Sequence, residues 1–475
     1  MTGGPAPYAL AVDFLADTVV GLAGQVRSGQ LSARELVAHA LARIDAVDGS
    51  VGAFVALDPD GATAAASAID DVVARGGDPG PLAGIPIGVK DLEDAEGLPT
   101  TRGLAAEAGK PPARADSALV ARLRAAGCIV VGKTNTPALG HKSDTTNLVF
   151  GPTRNPWNLE RTAGGSSGGS AAAIAAGMVP LATGSDGGGS IRIPSALCGL
   201  SGMKPSLGRV PSGGSEPPDW QHLSSKGPMA RSIVDVAHVL DAVIGPEPTD
   251  LRSLPMPDVP WAGAVADPSV PLRIAWSPTL GYATPDPEVL AACRAAVDRL
   301  EGLGAQVIEV DDVFDADPVF SWLALTGTYM RRSLEAIGAL DDADLDDTLR
   351  AQLDLVAGLS AVDLAKAEDE CHRLNLRLVE LFSGARLLVS PVTAGLAPRS
   401  GMPGTIAGKE TDNWVQYTYP FNCTRSPAGT VPVGVSSEGT PIGLQVVGPQ
   451  HADQVVLRAI AAIEGELGLP DPPRL

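Results

Sequence analysis

Apolar residues recur along the chain with two different spacings, which together predict helices connecting buried strands. The small residues 171–176 are typical of a tightly packed helix, and the apolar run 178–182 after them predicts a short buried strand. Near the N-terminus, Ser32 stands three residues before Glu35, the spacing of a helix-capping box, and apolar positions repeat with a helical period after it. The chain is therefore expected to combine helices and strands.

The remaining elements follow from the same patterns. Helices are predicted over residues 62–74, 115–127, 233–244, 286–303 and, with mixed faces, 316–382. Strands are predicted over residues 53–57, 81–91, 128–131, 272–276, 305–310 and 387–391. The strand–helix–strand spacing between 272 and 310 indicates that a sheet continues into the C-terminal half. The proline-rich residues 246–271 predict a surface connection.

Two glycine-rich loops with serines flank the predicted helix and strand at 171–182. The first loop, residues 164–170, reads GGSSGGS, and the second, residues 184–190, reads GSDGGGS. Glycine lets the backbone approach a ligand closely, and successive N–H groups in such a loop form a nest for an anion. A serine at the end of the nest has donors beside its hydroxyl, as a nucleophile with its own oxyanion hole requires.

Two other interpretations of the glycine-rich sequences fit less well. A flexible linker is disfavoured because the loops flank a helix–strand unit and precede apolar Ile191 and Ile193. A dinucleotide-binding loop is disfavoured because residues 164–169 do not fit the spacing G-x-G-x-x-G. Residues 127–134, GCIVVGKT, match the P-loop expression. There, however, the four intervening residues form the predicted strand itself, which argues against a nucleotide cradle.

A lysine near the end of the predicted strand 81–91 is a candidate base. A lone lysine at a strand end is usually a surface charge whose stem covers apolar residues. With two serine loops in the same chain, Lys90 is better explained as catalytic, because burial disfavours the charged amine and lowers its pKa. A neutral lysine can accept a proton and act as general base. None of the six histidines lies in a motif, which disfavours a Ser-His-Asp hydrolase.

Composition narrows the function classes further. The 475 residues carry a net charge of −20, which argues against nucleic acid or an anionic membrane as a partner. The five cysteines are scattered, odd in number and without a C-x-x-C pair, so neither a zinc site nor a disulfide framework is predicted. No opening segment resembles a signal peptide and no apolar run reaches about 18 residues, so we expect a soluble cytoplasmic protein.

The ordered motifs GGSSGGS, GSDGGGSIRIP and CGLSGMKPS, between residues 164 and 206, resemble the amidase signature family. Upstream, G-V-K-D at residues 88–91 also resembles the family pattern. The resemblance implies a Ser–cis-Ser–Lys triad with Ser190 as nucleophile, Ser166 as the cis-serine and Lys90 as the base. The peptide bond between Gly165 and Ser166 is then expected to be cis. The oxyanion hole is expected from the backbone N–H groups of Gly187, Gly188, Gly189 and Ser190.

The same resemblance covers nearly the whole chain and implies its fold. We expect a single α/β domain over residues 1–475, with a central mixed β-sheet covered by helices on both faces. Residues 1–75 would form an N-terminal helical part that packs over the core or makes a subunit contact. Residues 80–235 would form the catalytic core, and residues 310–385 a variable helical region that shapes the pocket.

Several residues around the implied triad are candidates for supporting or binding roles. Ser167, Asp186 and Arg192 are expected to support the nucleophile loop. For Asp186 and Arg192 a partly buried ion pair is the favoured explanation, and substrate binding is the other. Candidates for the pocket wall are His141, Arg209, Trp322, Tyr329 and Tyr417. The alternative for each is an ordinary core, loop or surface residue.

The resemblance implies a serine amidohydrolase that cleaves aryl or aliphatic amides, carbamates (urethanes) or related esters. Ser190 would form an acyl-enzyme, and Ser166 would relay its proton to neutral Lys90. No cofactor or metal is expected, the partner would be a small molecule, and the protein would be a monomer or homodimer. The few charged residues in the predicted pocket loops favour a neutral substrate, aromatic ones included.

Two alternative functions stay open. One is the amidotransferase A-type subunit of a glutamine-dependent transamidase, although residues 141–146 depart from the pattern of those subunits and the overall sequence is closer to stand-alone amidases, urethane-hydrolysing ones included. The other is a non-catalytic binding module built on the same fold. Hydrolysis by the purified chain would separate them.

Overall fold

The strands of the computed structural model form mixed sheets, and helices pack around them. The structure describes residues 12–214, 217–218, 220, 223–341, 344–473 and 475. Its helices are α1 (Val19–Arg27), α2 (Ala33–Val51), α3 (Pro59–Ala74), α4 (Ala105–Ala108), α5 (Ala118–Ala125), α6 (Gly168–Ala175), α7 (Arg192–Leu197), α8 (Ile233–Val243), α9 (Trp261–Ala266), α10 (Pro287–Gly302), α11 (Val319–Ala336), α12 (Asp347–Val356), α13 (Ala361–Gly384), α14 (Pro420–Cys423) and α15 (Asp453–Leu467). Its strands are β1 (Phe54–Leu57), β2 (Pro86–Lys90), β3 (Ile129–Thr134), β4 (Thr146–Asn147), β5 (Gly151–Pro152), β6 (Arg154–Asn155), β7 (Asn158–Thr162), β8 (Leu181–Asp186), β9 (Gly202–Lys204), β10 (Ser225–Ala230), β11 (Arg273–Trp276), β12 (Gln306–Glu309), β13 (Leu387–Pro391), β14 (Gly404–Ile406), β15 (Lys409–Thr411), β16 (Ala428–Val435) and β17 (Pro441–Val447).

One sheet holds the strand that ends in Lys90. Its order is β1-β3-β2-β8-β10; β3, β2 and β8 are parallel, and the edge strands β1 and β10 run antiparallel to their neighbours. The sequence predicts a strand over residues 178–182, but β8 begins at Leu181 and continues to Asp186. Pairing with β10 as far as Asp186 opposite Ser225 overrides the weak strand propensity of the glycine-containing segment.

A second sheet has the order β12-β11-β13-β17-β16-β9 and also mixes parallel and antiparallel pairs. It meets the first sheet at β9 and β10, where the N–H of Ser201 donates to the carbonyl of Arg231 at 3.1 Å. The mixed α/β class expected from the sequence is therefore confirmed. Of the strands described, eleven lie in the two adjoining sheets, and the pairs β4-β5, β6-β7 and β14-β15 form small separate ones.

An apolar cluster connects the N-terminal helices to both sheets. Buried members include Leu22 of α1, Leu36 of α2, Val89 of β2, Leu387 of β13 and Val446 of β17. Full burial of such a side chain contributes about 1.5–3 kcal/mol. The N-terminal helices therefore pack over the core, which is one of the two arrangements expected for them.

Several predicted elements can be compared directly with the structure. The capping box is confirmed, since the Glu35 N–H donates to Ser32 Oγ at 3.1 Å and the Ser32 N–H donates to the Glu35 carboxylate at 2.9 Å. Residues 246–271, predicted as a surface connection, are mostly irregular and at the surface, but they also include a short helix. This helix is α9, whose Trp261 is buried against the core. In the part of the chain that is described, no helix is long and apolar enough to cross a bilayer.

Candidate active site

Lys90 lies at the end of β2 and is completely buried. The Lys90 N–H donates to Thr183 Oγ1 on the neighbouring strand β8 at 2.9 Å. The side-chain amine donates to three hydroxyls: Ser166 Oγ at 2.8 Å, Ser167 Oγ at 2.9 Å and Ser185 Oγ at 2.9 Å. The structure thus brings the predicted base to both serine loops, and it adds Ser185, which sequence reasoning missed.

Burial lowers the pKa of Lys90 to about 7, against the opposing fields of the Glu93 and Asp186 carboxylates. Desolvation disfavours the charged amine, and hydroxyl groups stabilise it less than a carboxylate in contact would. A substantial fraction of the amine is therefore neutral near pH 7 and able to accept a proton.

The serine loops meet beside this lysine. The peptide bond between Gly165 and Ser166 is cis, as expected. Ser190 ends the second loop, and its carbonyl accepts a hydrogen bond from the Ser167 N–H at 3.2 Å. Ser166 and Ser190 both line one open cleft. The two predicted serines and the predicted lysine therefore lie around one site.

The hydroxyl of Ser190 faces this cleft. No hydrogen bond among the described residues involves that hydroxyl, whereas the hydroxyl of Ser166 is bonded to Lys90. Catalytic hydrogen bonds are often long until substrate is in place. The arrangement thus leaves the Ser190 oxygen free to approach a carbonyl carbon.

Three of the four predicted oxyanion donors have backbone N–H groups that are unpaired within the described part of the chain. The N–H groups of Gly187, Gly188 and Ser190 donate to no other described residue. The expectation for Gly189 is corrected, because its N–H donates to the Asp186 carboxylate at 2.8 Å. Gly189, at a φ of 131°, shapes the turn and does not offer a free donor.

Asp186 and Arg192 form a buried ion pair that holds the nucleophile loop. Arg192 Nε and Nη2 donate to the two Asp186 oxygens at 2.9 and 2.8 Å, and both side chains are fully buried. Burial alone would raise the pKa of Asp186, but the Arg192 guanidinium holds that pKa well below its usual range. Because neither side chain reaches the cleft, the geometry favours support over contact with substrate.

The segment around α14 completes this support. Asn422 Nδ2 donates to the carbonyl and the carboxylate of Asp186 at 2.7 and 2.9 Å. Thr418 Oγ1 donates to the carbonyl of Gly188 at 2.5 Å. Sequence reasoning missed both roles, since short polar residues far along the chain give no local signal of contact with a loop at 184–190.

Two tryptophans pack against the glycines of the nucleophile loop. Trp322 Nε1 donates to the Gly187 carbonyl at 2.8 Å, and a Cβ added at Gly188 would stand 2.4 Å from the Trp322 ring. Trp220 meets Trp322 edge to face at 6.2 Å and lines the cleft. Trp322 was predicted as a pocket-wall residue, but it lies behind the loop.

Two other pocket candidates are corrected by their burial. Tyr417 is completely buried, and its hydroxyl donates to the carbonyl of Pro278 at 2.6 Å. His141 is also buried, with Nδ1 2.8 Å from the carbonyl of Ala138 and Nε2 2.7 Å from Thr348 Oγ1. Both side chains are enclosed by protein and do not line the cleft.

The last two candidates lie elsewhere. Arg209 contacts Asp453 at 3.5 Å and the ring of Trp261 at 6.0 Å, and it lines a different surface depression. Tyr329 packs in a cluster on α11, with the Arg332 guanidinium 5.6 Å from its ring. The pocket assignment of both residues is therefore corrected.

Apart from the two serine loops, the described cleft wall comes from residues to which sequence reasoning gave no role. Residues 310–385 contribute none of its described lining, contrary to the expectation for that helical region. Besides Ser166, Gly187 and Ser190, the lining comprises Leu92, Glu93, Leu139, Gly140, Ser185, Ser212, Pro218, Trp220, Ser224 and Lys226. Leu92 and Glu93 stand two and three residues after the predicted base Lys90. This closeness in sequence could have indicated them, although not the contact of Glu93 with Lys226.

This lining also changes the electrostatic picture of the cleft. Lys226 Nζ lies 2.8 Å from each carboxylate oxygen of Glu93. The sequence predicted few charged residues in the pocket loops and did not indicate the Glu93–Lys226 ion pair in the cleft wall. Within the described residues, no group of three His, Cys, Asp or Glu side chains is arranged to hold a metal ion.

Comparisons with known proteins match nearly the full length of the chain. The family described as Amidase matches residues 35–457. An acylamidase from Rhodococcus erythropolis is 36% identical over 456 residues, which cover 93% of this chain and 94% of that protein. The A-type subunit of the glutamyl-tRNA(Gln) amidotransferase from Salinispora arenicola is 37% identical over 497 residues, covering 96% and 98%. A solved bacterial aryl acylamidase of the amidase signature family superimposes with a TM-score of 0.89 at 29% identity, over 96% of this chain and 97% of that chain.

Proposed function

Because this chain belongs to the amidase signature family, we propose that it hydrolyses amide C–N bonds on its own, through an acyl-enzyme on Ser190. The observation that supports this most directly is the buried Lys90 amine, 2.8 Å from Ser166 Oγ, at the cleft that also contains Ser190. A neutral amine hydrogen-bonded to one serine hydroxyl, together with a second, free serine hydroxyl on the same cleft, supplies the parts that general-base activation of a serine requires.

The proposed reaction begins when the Ser190 oxygen attacks the substrate carbonyl. Ser166 accepts the Ser190 proton and passes its own to Lys90. The resulting tetrahedral oxyanion accepts hydrogen bonds from the N–H groups of Gly187, Gly188 and Ser190, and a single such donor is typically worth about 3 kcal/mol. The ammonium of Lys90 then returns a proton through Ser166 to the leaving amine. Water attacks the acyl-enzyme by the same relay and releases the acid.

For substrate, we propose amides with an aryl or aliphatic amine, with carbamates and related esters as further candidates. The acylamidase and aryl acylamidase relatives support amides. The apolar wall formed by Leu92, Leu139 and Trp220 supports an apolar group beside the scissile bond. All three substrate types place a carbonyl where Ser190 can attack. A carbamate differs from an amide on the acyl side, and an ester differs from both in the leaving group.

A second candidate function is the A-type subunit of a glutamine-dependent transamidase. The identity of 37% to such a protein favours it, because this value is similar to the identity with the acylamidase. The two functions differ in what the isolated chain can do. A stand-alone amidase hydrolyses amides without a partner, whereas the transamidase component uses glutamine.

The test is hydrolysis by the purified full chain. The panel comprises 4-nitroacetanilide, methyl N-(4-nitrophenyl)carbamate, 4-nitrophenyl acetate and glutamine, each also incubated with Ser190→Ala. We expect release of 4-nitroaniline from the amide, lost in the variant. The ratio of amide to carbamate hydrolysis then defines the substrate type.

Other outcomes would overturn the proposal. Activity on glutamine alone would indicate the transamidase component. Anilide hydrolysis that persists in Ser190→Ala would place the nucleophile elsewhere. Binding of anilides without turnover would indicate a non-catalytic module.

A further inference from the structure

The ion pair between Glu93 and Lys226 stands at the same edge of the sheet as the Lys90 network. β2, β8 and β10 are neighbours, and they bring Lys90, Ser185 and Lys226 together: Ser185 accepts a hydrogen bond from Lys90 and pairs in register with Lys226. Glu93 follows β2 directly, and its N–H donates to the Lys90 carbonyl at 2.9 Å. The pair is thus built into the wall of the cleft.

Glu93 and Lys226 are the charged members of the described cleft lining. The Glu93 side chain is 3% exposed and the Lys226 side chain 19% exposed, so water screens their charges only weakly. Lys226 Nζ lies 2.8 Å from both carboxylate oxygens, and together the two groups carry no net charge. Removal of either partner would leave an uncompensated charge facing the cleft.

We propose that the Glu93–Lys226 ion pair is a specificity determinant that makes the cleft select substrates with no charge where they contact this wall. The inference rests on the amide-hydrolase function proposed above. A carboxylate on the substrate is repelled by Glu93 and must compete with it for Lys226. An ammonium group is repelled by Lys226 and must compete for Glu93. An uncharged group is repelled by neither residue, so the ion pair discriminates by repelling charged substrates.

Single substitutions in the pair should change this selectivity in opposite directions. Glu93→Gln leaves Lys226 without its counter-charge, so the cleft should favour a carboxylate. Lys226→Met leaves Glu93 alone, so the cleft should favour an ammonium group. A residue that only stabilises the fold would lower the activity on all substrates together, and opposite shifts separate the two roles.

The experiment compares kcat/KM for two series of matched anilides, the first of them 4-nitroanilides, within each variant. Butyryl, succinyl and β-alanyl 4-nitroanilide present a methyl, a carboxylate and an ammonium group at the same chain position. A second series holds the butyryl group constant and places methyl, carboxylate or aminomethyl on the para position of aniline. Each ratio compares two kcat/KM values measured with the same variant. The folded fraction of the enzyme and the protonation state of Lys90 affect both values equally and therefore cancel.

In the unmodified protein we expect the uncharged substrate to exceed both charged ones by about tenfold or more in at least one series. Glu93→Gln should raise the carboxylate-to-ammonium ratio about tenfold in that series, and Lys226→Met should lower it by a similar factor. The double variant Glu93→Gln with Lys226→Met lacks both charges of the pair, so its carboxylate-to-ammonium ratio should return toward that of the unmodified protein. The substrate series in which the ratio changes also shows whether the ion pair contacts the acyl side or the amine side of the substrate.

Matched controls come from an exposed ion pair. Arg294 Nη2 lies 2.6 Å from Glu309 Oε2, with the side chains 47% and 46% exposed. Glu309→Gln and Arg294→Met make the same chemical changes outside the cleft and should leave the ratios unchanged.

Two results would overturn this inference without affecting the proposed function. One is a carboxylate-to-ammonium ratio within about twofold of the unmodified protein in both single variants. The other is a shift of that ratio in the same direction in both. Either would occur with an active enzyme, so the proposed function would stand. If the unmodified protein hydrolyses no anilide, the proposed function fails and this inference fails with it.

Discussion

At the scale of single residues, the site depends on a lysine that protein burial keeps near neutrality. Lys90 has a pKa of about 7 because desolvation outweighs the fields of Glu93 and Asp186. Asp186 is itself bound to Arg192, and Glu93 to Lys226, so neither carboxylate acts on Lys90 as a free charge. Lys133, on the adjacent strand, is bound to Asp91 at 3.1 Å. The charges around the base are therefore largely paired.

This burial predicts how hydrolysis depends on pH. Only the neutral amine can accept the proton, so kcat/KM on an uncharged anilide should fall about tenfold per pH unit below about 7 and level off above it. The measurement is kcat/KM between about pH 5 and pH 9, with circular dichroism at each pH to confirm that the protein stays folded. A profile that is flat through this range would contradict the assignment of Lys90 as general base.

The buried ion pair behind the nucleophile predicts a large stability effect. Asp186→Asn leaves the Arg192 guanidinium uncompensated in the interior, so the free energy of unfolding should fall by about 3–5 kcal/mol. The matched exposed change is Glu370→Gln, which breaks a surface contact with Arg373 and should cost less than about 1 kcal/mol. Urea denaturation measures both. Equal costs for the two variants would show that the pair does not stabilise the fold.

At the scale of elements, α11 acts on the active site through a hydrogen bond to a peptide unit. Trp322 Nε1 donates to the Gly187 carbonyl at 2.8 Å, and that carbonyl shares its peptide plane with the Gly188 N–H, a candidate oxyanion donor. Fixing one end of a rigid peptide plane fixes the direction of the other end. The helix therefore aims a donor at the reacting carbonyl without entering the cleft.

Trp322→Phe tests this role, because phenylalanine keeps the stacking on Tyr419 but lacks the N–H. One hydrogen bond is worth about 1 kcal/mol, so kcat should fall about fivefold while KM changes little. Trp261→Phe makes the same change at a buried ring outside the cleft and serves as the control. If KM rises and kcat is unchanged, Trp322 affects substrate binding and not the oxyanion donor.

At the scale of the whole molecule, the predictions from sequence match the structure for those features that residues close together in the chain determine. The capping box at Ser32, the strand 387–391 and the two serine loops were predictable, because each is specified by neighbouring residues. The pocket wall was not predictable, since Trp220, Glu93 and Lys226 meet only through tertiary packing. The hydrogen bond from the Gly189 N–H was missed for a different reason: its acceptor, Asp186, is only three residues away, but the sequence does not specify the conformation of the turn between them.

The net charge of the chain acts over a longer range than the cleft pair, and salt separates the two. A charge of −20 should enrich cationic substrates around the protein and deplete anionic ones. In about 10 mM salt we therefore expect β-alanyl 4-nitroanilide to gain several-fold over succinyl 4-nitroanilide. At about 1 M salt, where charges are screened beyond about 3 Å, this general bias should disappear.

The opposite shifts produced by Glu93→Gln and Lys226→Met should persist, because those groups contact the substrate within a partly buried wall. The measurement is kcat/KM for both substrates across this salt range in all three proteins. If salt abolishes the variant shifts along with the general bias, the selectivity belongs to the molecular surface as a whole and not to the cleft.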